Sequence, residues 1–158
     1  MNANTYEIGF EALDGLTVDS LCLFVSEDER PLPGTAGFVD WRLCGSLSRI
    51  LLGGFFVGAR GDRLLVPTAS RLVPERLFLI GLGKSATLDA KGVGELLEGA
   101  AQVLTLAGSR AAALEVPGNG VVSDAARADA LNKHFLPAFK GQVAVLAEKP
   151  LKAILTPR

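Results

Sequence analysis

One histidine, one tryptophan, one tyrosine, one methionine and two cysteines are all that 158 residues hold of several side chains often found at metal sites and stacking surfaces. Charge of one sign is also missing, since 16 Lys and Arg meet 17 Asp and Glu for a formal charge of −1. A domain that neutralises phosphates normally carries a basic surplus, so nucleic acid is not an expected partner. No apolar run approaches the roughly 18 residues that span a bilayer, so a membrane is not expected either. Met1 to Asp14 contains no Lys or Arg and no continuous apolar stretch, which excludes reading a secretory signal or an Arg-rich transit peptide there and makes the cytoplasm the expected compartment. Cys22 and Cys44 have neither CxxC spacing nor histidine neighbours, so they are expected to be reduced core residues, with no metal and no cofactor. Low-complexity tracts, internal repeats and linker-like shifts in composition are absent as well. What remains is 49% hydrophobic and 21% charged, the balance of one ordinary globular domain over residues 1–158.

Strand and helix patterns alternate along the chain. Tyr6 to Leu13 alternates weakly and Leu21 to Val25 is a short apolar run, which predicts two strands. From Ala36 to Leu52 the apolar positions Val39, Leu43, Leu47, Ile50 and Leu51 fall at spacings of three and four, the signature of one long helix, with Gly53-Gly54 to end it. Leu64 to Pro67 and Leu77 to Ile80 read as dense strands covered on both faces. Asp89 is placed to cap a helix that runs to Ala107 and stops at Gly108. Its interior Gly92, Gly94 and Gly99 weaken it and point to close approach by a neighbouring element. Ala112 to Val116 predicts a strand, Ser123 or Asp124 starts a third helix that Pro137 stops, and Val143 to Ala147 and Ala153 to Leu155 read as final strands. About seven strands and three helices predict an α/β fold in three layers, a mixed sheet flanked by helices.

Chemistry is harder to find. His134 stands near a helix end with no nucleophile elbow or orienting carboxylate in its sequence context, and the Glu27-Asp28-Glu29 triplet reads as a solvated turn. No catalytic residue is assigned. Two glycine loops are the candidate ligand sites. In the first, Leu79-Ile80 runs into Gly81, Gly83, Lys84 and Ser85, where exposed amides and a lysine suit an anion at a helix start. It is not a phosphate-binding P-loop, because Phe78 stands where the first glycine is required. The second is Gly118, Asn119 and Gly120, at the end of another strand, where open α/β sheets bind ligands. Trp41, off the apolar stripe of its helix, and Phe38 are candidates for anchoring a partner.

The order of these segments from about Asp19 to Pro117 resembles the N-terminal, non-catalytic domain of the leucyl (cytosol) aminopeptidases. Leu21 to Val25, Leu47-Ser48-Arg49-Ile50-Leu51, Leu64-Leu65-Val66-Pro67 and Arg76 to Lys84 carry the similarity, as a colinear set. The resemblance implies a macro-domain-like fold. It also implies that the metal ligands and catalytic groups, which in that family belong to a larger C-terminal domain with a stretch like Asn-Thr-Asp-Ala-Glu-Gly-Arg-Leu, have no counterpart here. The expected function is therefore a non-catalytic module that binds a protein partner or its own copies. The alternative is macro-domain-like binding of a phosphorylated small ligand or nucleotide, although the Gly-Gly-Gly-Val-type loop that ADP-ribose-binding macro domains use is not found. Autonomous aminopeptidase activity is the least expected outcome.

Overall fold

A computed structural model describes Ala3–Thr156. Its first unit is strand β1 (Asn4–Glu7), helix α1 (Phe10–Asp14) and strand β2 (Ser20–Ser26). Helices α2 (Gly34–Arg42) and α3 (Ser46–Leu52) follow, then strands β3 (Arg63–Pro67) and β4 (Arg76–Gly83). The long helix α4 (Ala90–Leu106), strand β5 (Ala111–Glu115), helix α5 (Asp124–Ala130), strand β6 (Gln142–Ala147) and helix α6 (Lys149–Leu155) complete the order. The strands form a mixed sheet ordered β1-β6-β5-β2-β4-β3, parallel throughout except for the antiparallel edge pair β3 and β4.

Alternation along the central strands assigns each side chain to one helical layer. Leu21, Leu23 and Val25 of β2 and Leu77 and Leu79 of β4 join the core under α1, α2 and α3. Cys22, Phe78, Ile80 and Leu82 face the other way, onto Val93, Leu97, Ala100 and Leu104 of α4 and onto Leu131, Phe135 and Leu151. The expected three-layer α/β architecture is therefore what forms. Leu97 and Leu104 are fully buried, and truncating either to alanine would cost about 2–5 kcal/mol.

Several elements match their expected chemistry. Asp89 caps α4, its carboxylate accepting from Gly92 N at 2.8 Å, and Ser123 caps α5 by accepting from Ala126 N at 3.2 Å. Beyond α5 the helix widens into a π turn over Leu131–Phe135. Gly94 on α4 faces this turn, where an added Cβ would lie 2.8 Å from the His134 ring. That is the close approach its position predicts.

Four expectations are corrected. The stretch Tyr6 to Leu13 is a strand only as far as Glu7; Gly9 breaks it, and Leu13 is buried from a short helix. The single helix over Ala36 to Leu52 is two helices, because Cys44 and Gly45 both adopt left-handed backbone with φ of 54° and 80°. Asp40 then reaches across the break to accept from Leu47 N at 2.9 Å and Ser48 N at 3.2 Å, capping α3 from α2. Cys44 lies exposed at this turn, whereas Cys22 is buried and its thiol is pushed up to about 12 by burial. Finally, Ala153 to Leu155 is the end of a helix, because Pro150 falls in the first turn of α6, where its missing N–H costs nothing. The sheet accordingly has six strands among the described residues rather than seven.

Candidate functional site

Five of the six strands point their carboxyl ends the same way, and a cleft of about 370 Å³ opens beyond them. Such a crevice is where open α/β sheets place ligands. Its apolar walls include Leu23, Phe24, Leu82, Leu88, Val116 and Val121. The charged groups in its lining are Glu7, Glu29, Glu115, Glu148 and Lys149.

Glu115 ends β5, in the middle of the sheet, and turns toward the α2 layer. Its carboxylate accepts from Thr35 N at 2.7 Å, in the first turn of α2. Gly34 makes room for it, since a Cβ there would lie 2.5 Å from Glu115 Oε1. Burial pushes the Glu115 carboxyl above the usual carboxylate range, against the opposing pull of the Thr35 hydroxyl and N–H. Glu148 is held differently. The buried Arg127 donates to Glu148 Oε2 at 3.1 Å and to Asp124 Oδ1 at 3.0 Å. The same guanidinium donates to the carbonyls of Pro117, at 3.2 Å, and Val116. Arg127 thus ties α5, α6 and the loop after β5 into one wall of the cleft.

The two candidate glycine loops lie in different surroundings. Gly118 and Asn119 line the cleft, with Gly120 next to them in left-handed backbone at φ 78°. Of Gly81, Gly83, Lys84 and Ser85 in the first loop, only Ser85 reaches the lining. Gly81 N donates to Asp62 O at 2.8 Å and Gly83 N to Gly58 O at 2.9 Å, so their amides are used within the chain. A Cβ at Gly81 would run into the Ala59 carbonyl, which is why glycine is needed there. The Asp28 carboxylate accepts from Ser85 N at 3.1 Å and from its hydroxyl at 3.2 Å; the Ser85 amide bond is the chief cause holding the Asp28 carboxyl below its ordinary range. Lys84 is exposed outside the cleft lining.

On the α2 surface the two aromatic candidates also separate. Phe38 is half-buried, edge-on to Phe10 at 4.7 Å between ring centroids, and the Arg42 guanidinium covers the other ring. Trp41 is 75% exposed. Leu52 and Phe55, at and just beyond the end of α3, are exposed too.

Arg127 and Glu115 escaped the sequence reading, yet both had a signal. Arg127 stands four residues before Leu131, on the apolar side of a helix otherwise rich in alanine, and Glu115 interrupts the apolar run of a central strand. A charge on a face that must be buried needs a partner or a cleft.

The chain is 32% identical over 95 residues to a probable cytosol aminopeptidase of Burkholderia multivorans, and 34% identical over 92 residues to one of Cupriavidus metallidurans. These matches cover 60% and 58% of this chain but only 19% and 18% of the relatives, so it spans about a fifth of their length. A tomato leucine aminopeptidase variant superposes with a TM-score of 0.62 at 16% identity, over 98% of this chain and 34% of that one. The macrodomain of Thermus aquaticus DarG gives 0.68 at 16% identity, over 92% and 97%. The fold is thus shared with macrodomains. Residues 22–140 match the family model described as the N-terminal domain of the cytosol aminopeptidases, and the chain belongs to that family through this domain.

Proposed function

We propose that this chain is a non-catalytic module that works by binding protein, its own copies first, through the exposed side of α2 and α3. The family match carries this reading: the chain corresponds to the N-terminal domain of proteins whose remaining length, about four fifths, lies outside the similarity. Trp41 supports the reading, because an exposed tryptophan gives large, rigid contact area and such residues are enriched among the anchors of interfaces. The relatives' description as cytosol enzymes supports a cytoplasmic setting. Light scattering on the wild type and on Trp41→Glu tests the idea. The wild type is expected to exceed its 16.5 kDa monomer mass with rising concentration, and the variant to remain at that mass. A monomeric wild type that is also inert toward partners overturns it.

A second reading, a small ligand in the cleft, is favoured by one observation: the volume of about 370 Å³ lies within the roughly 300–1,000 Å³ usual for ligand sites. The lining distinguishes between ligand classes. Four carboxylates against one lysine do not favour a phosphorylated ligand or nucleotide. A thermal-shift series with AMP and ADP-ribose is expected to leave the melting temperature unchanged, and a rise of several degrees contradicts that expectation.

A further inference from the structure

The cleft has a charge arrangement that protein docking does not use. Among its lining groups, Lys149 Nζ lies 3.8 Å from Glu7 and Glu148 is bonded to Arg127, which leaves Glu115 and Glu29 without a cation. Among the described residues, no Lys, Arg or His reaches Glu115 within ion-pair distance. Glu115 also sits where an anionic ligand would bind. The amides of a helix's first turn attract anions, and here the Thr35 N–H is already taken by Glu115 at 2.7 Å. The seat that a phosphate would occupy is filled by the protein's own carboxylate. Beside it lies the Thr35 hydroxyl, on a residue only 2% exposed and outside the cleft lining, which faces the same carboxylate. A half-buried carboxylate that lines an apolar cleft and has no cation within ion-pair distance calls for a charged donor that the chain itself does not provide.

We infer that the cleft takes an aliphatic primary ammonium, its head held by Glu115 and its stem laid along Leu23, Phe24, Leu88 and Val116, and that Glu115 is the residue that turns phosphorylated ligands away. The walls suit a methylene stem, since an amine-bearing chain buries its carbons readily while its charged end finds a carboxylate. The inference rests on the reading of the cleft as a ligand site. A free alkylamine and a lysine side chain on another protein share this chemistry.

Two-dimensional amide NMR of the whole chain separates the possibilities, with four probes: n-pentylamine, N-acetyl-lysine methylamide, pentan-1-ol and AMP. Both amines are expected to shift the amides of Thr35, Glu115, Val116 and Gly118, and pentan-1-ol, which has the stem but no charge, to bind about tenfold more weakly or worse. Glu115→Gln is expected to weaken n-pentylamine by about tenfold while leaving pentan-1-ol unchanged. The ranking of the lysine derivative against pentylamine identifies the source, and either order supports the inference. If Glu115→Gln does not fold, the contrast between pentylamine and pentan-1-ol on the wild type still decides. Equal binding of amine and alcohol, or cleft shifts with AMP and none with amines, overturns the inference while leaving the cleft a ligand site. Shifts with no probe at all overturn both.

Discussion

Two carboxylates at opposite ends of the same sheet live in opposite conditions. Asp19, just before β2, ties together the amino ends of three strands. Its oxygens accept from Arg110 N at 2.9 Å, Ala111 N at 3.2 Å, the Ser20 hydroxyl at 2.6 Å and Arg76 Nη2 at 3.4 Å. Glu115, at the carboxyl end, has the Thr35 N–H and no cation. Burial tends to raise both, but at Asp19 the hydrogen bonds from Ser20, Arg110, Ala111 and Arg76 prevail and hold the carboxyl low, while at Glu115 burial wins and holds it high. The difference separates an acid that serves the fold from one that is available to a ligand. Saturation with donors marks the first, and a shortage of them beside a cleft marks the second.

The largest way to break this contrast is to remove the support of the open end. Arg127→Met leaves Glu148 and Asp124 without their buried cation and the Val116 and Pro117 carbonyls without a donor; urea unfolding is expected to show a loss of about 3–5 kcal/mol. Removing the closed end's clamp comes next. Asp19→Ala strips several donors of their acceptor and is expected to cost about 2–3 kcal/mol by the same measurement.

Acidity sharpens the comparison further, with opposite signs. Asp19 is held below its unfolded value, so its contribution is present above that value and is lost as pH falls through the folded one. Glu115 is held above its unfolded value, so the folded state holds an extra proton between the two values, and stability falls as pH rises through that window. Unfolding curves of Glu115→Gln are expected to lack this fall, and those of Asp19→Asn to lack the acid loss. A Glu115→Gln curve parallel to the wild type would remove the account of Glu115. The smallest effect is expected at Trp41→Ala, whose exposed ring gives a stability change within about 0.5 kcal/mol while self-association weakens.

Most of the fold was legible because burial imposes period. The central strands β2, β4 and β6 and the stripe of α4 announced themselves by apolar spacing, and Asp89 and Ser123 by cap chemistry. The errors lie where a local backbone choice overrides spacing. At Cys44-Gly45 a left-handed turn splits a pattern whose Leu43 and Leu47 are both buried from either side of the break, so helical spacing alone could not expose the interruption. At Ala153 to Leu155 three residues were too few to tell one period from another, and Pro150 was the better guide. The candidate site was half legible. Ser85, Gly118 and Asn119 reach the cleft because they follow strand ends, whereas Gly81 is a glycine for its close backbone contact with Gly58 and Ala59, a long-range fact that no local motif encodes, and Gly83 for its left-handed backbone at φ 82°. Glu115 and Arg127 owe their roles to partners 80 and 21 residues away.

The claim that this chain acts by docking through α2 is tested most directly by hydrogen exchange on the whole protein at low and high concentration. Slower exchange over residues 37–45 at high concentration, with the segment 111–120 unchanged, is the predicted result. Identical exchange over residues 37–45 at both concentrations, in a sample whose mass does not rise, would contradict it.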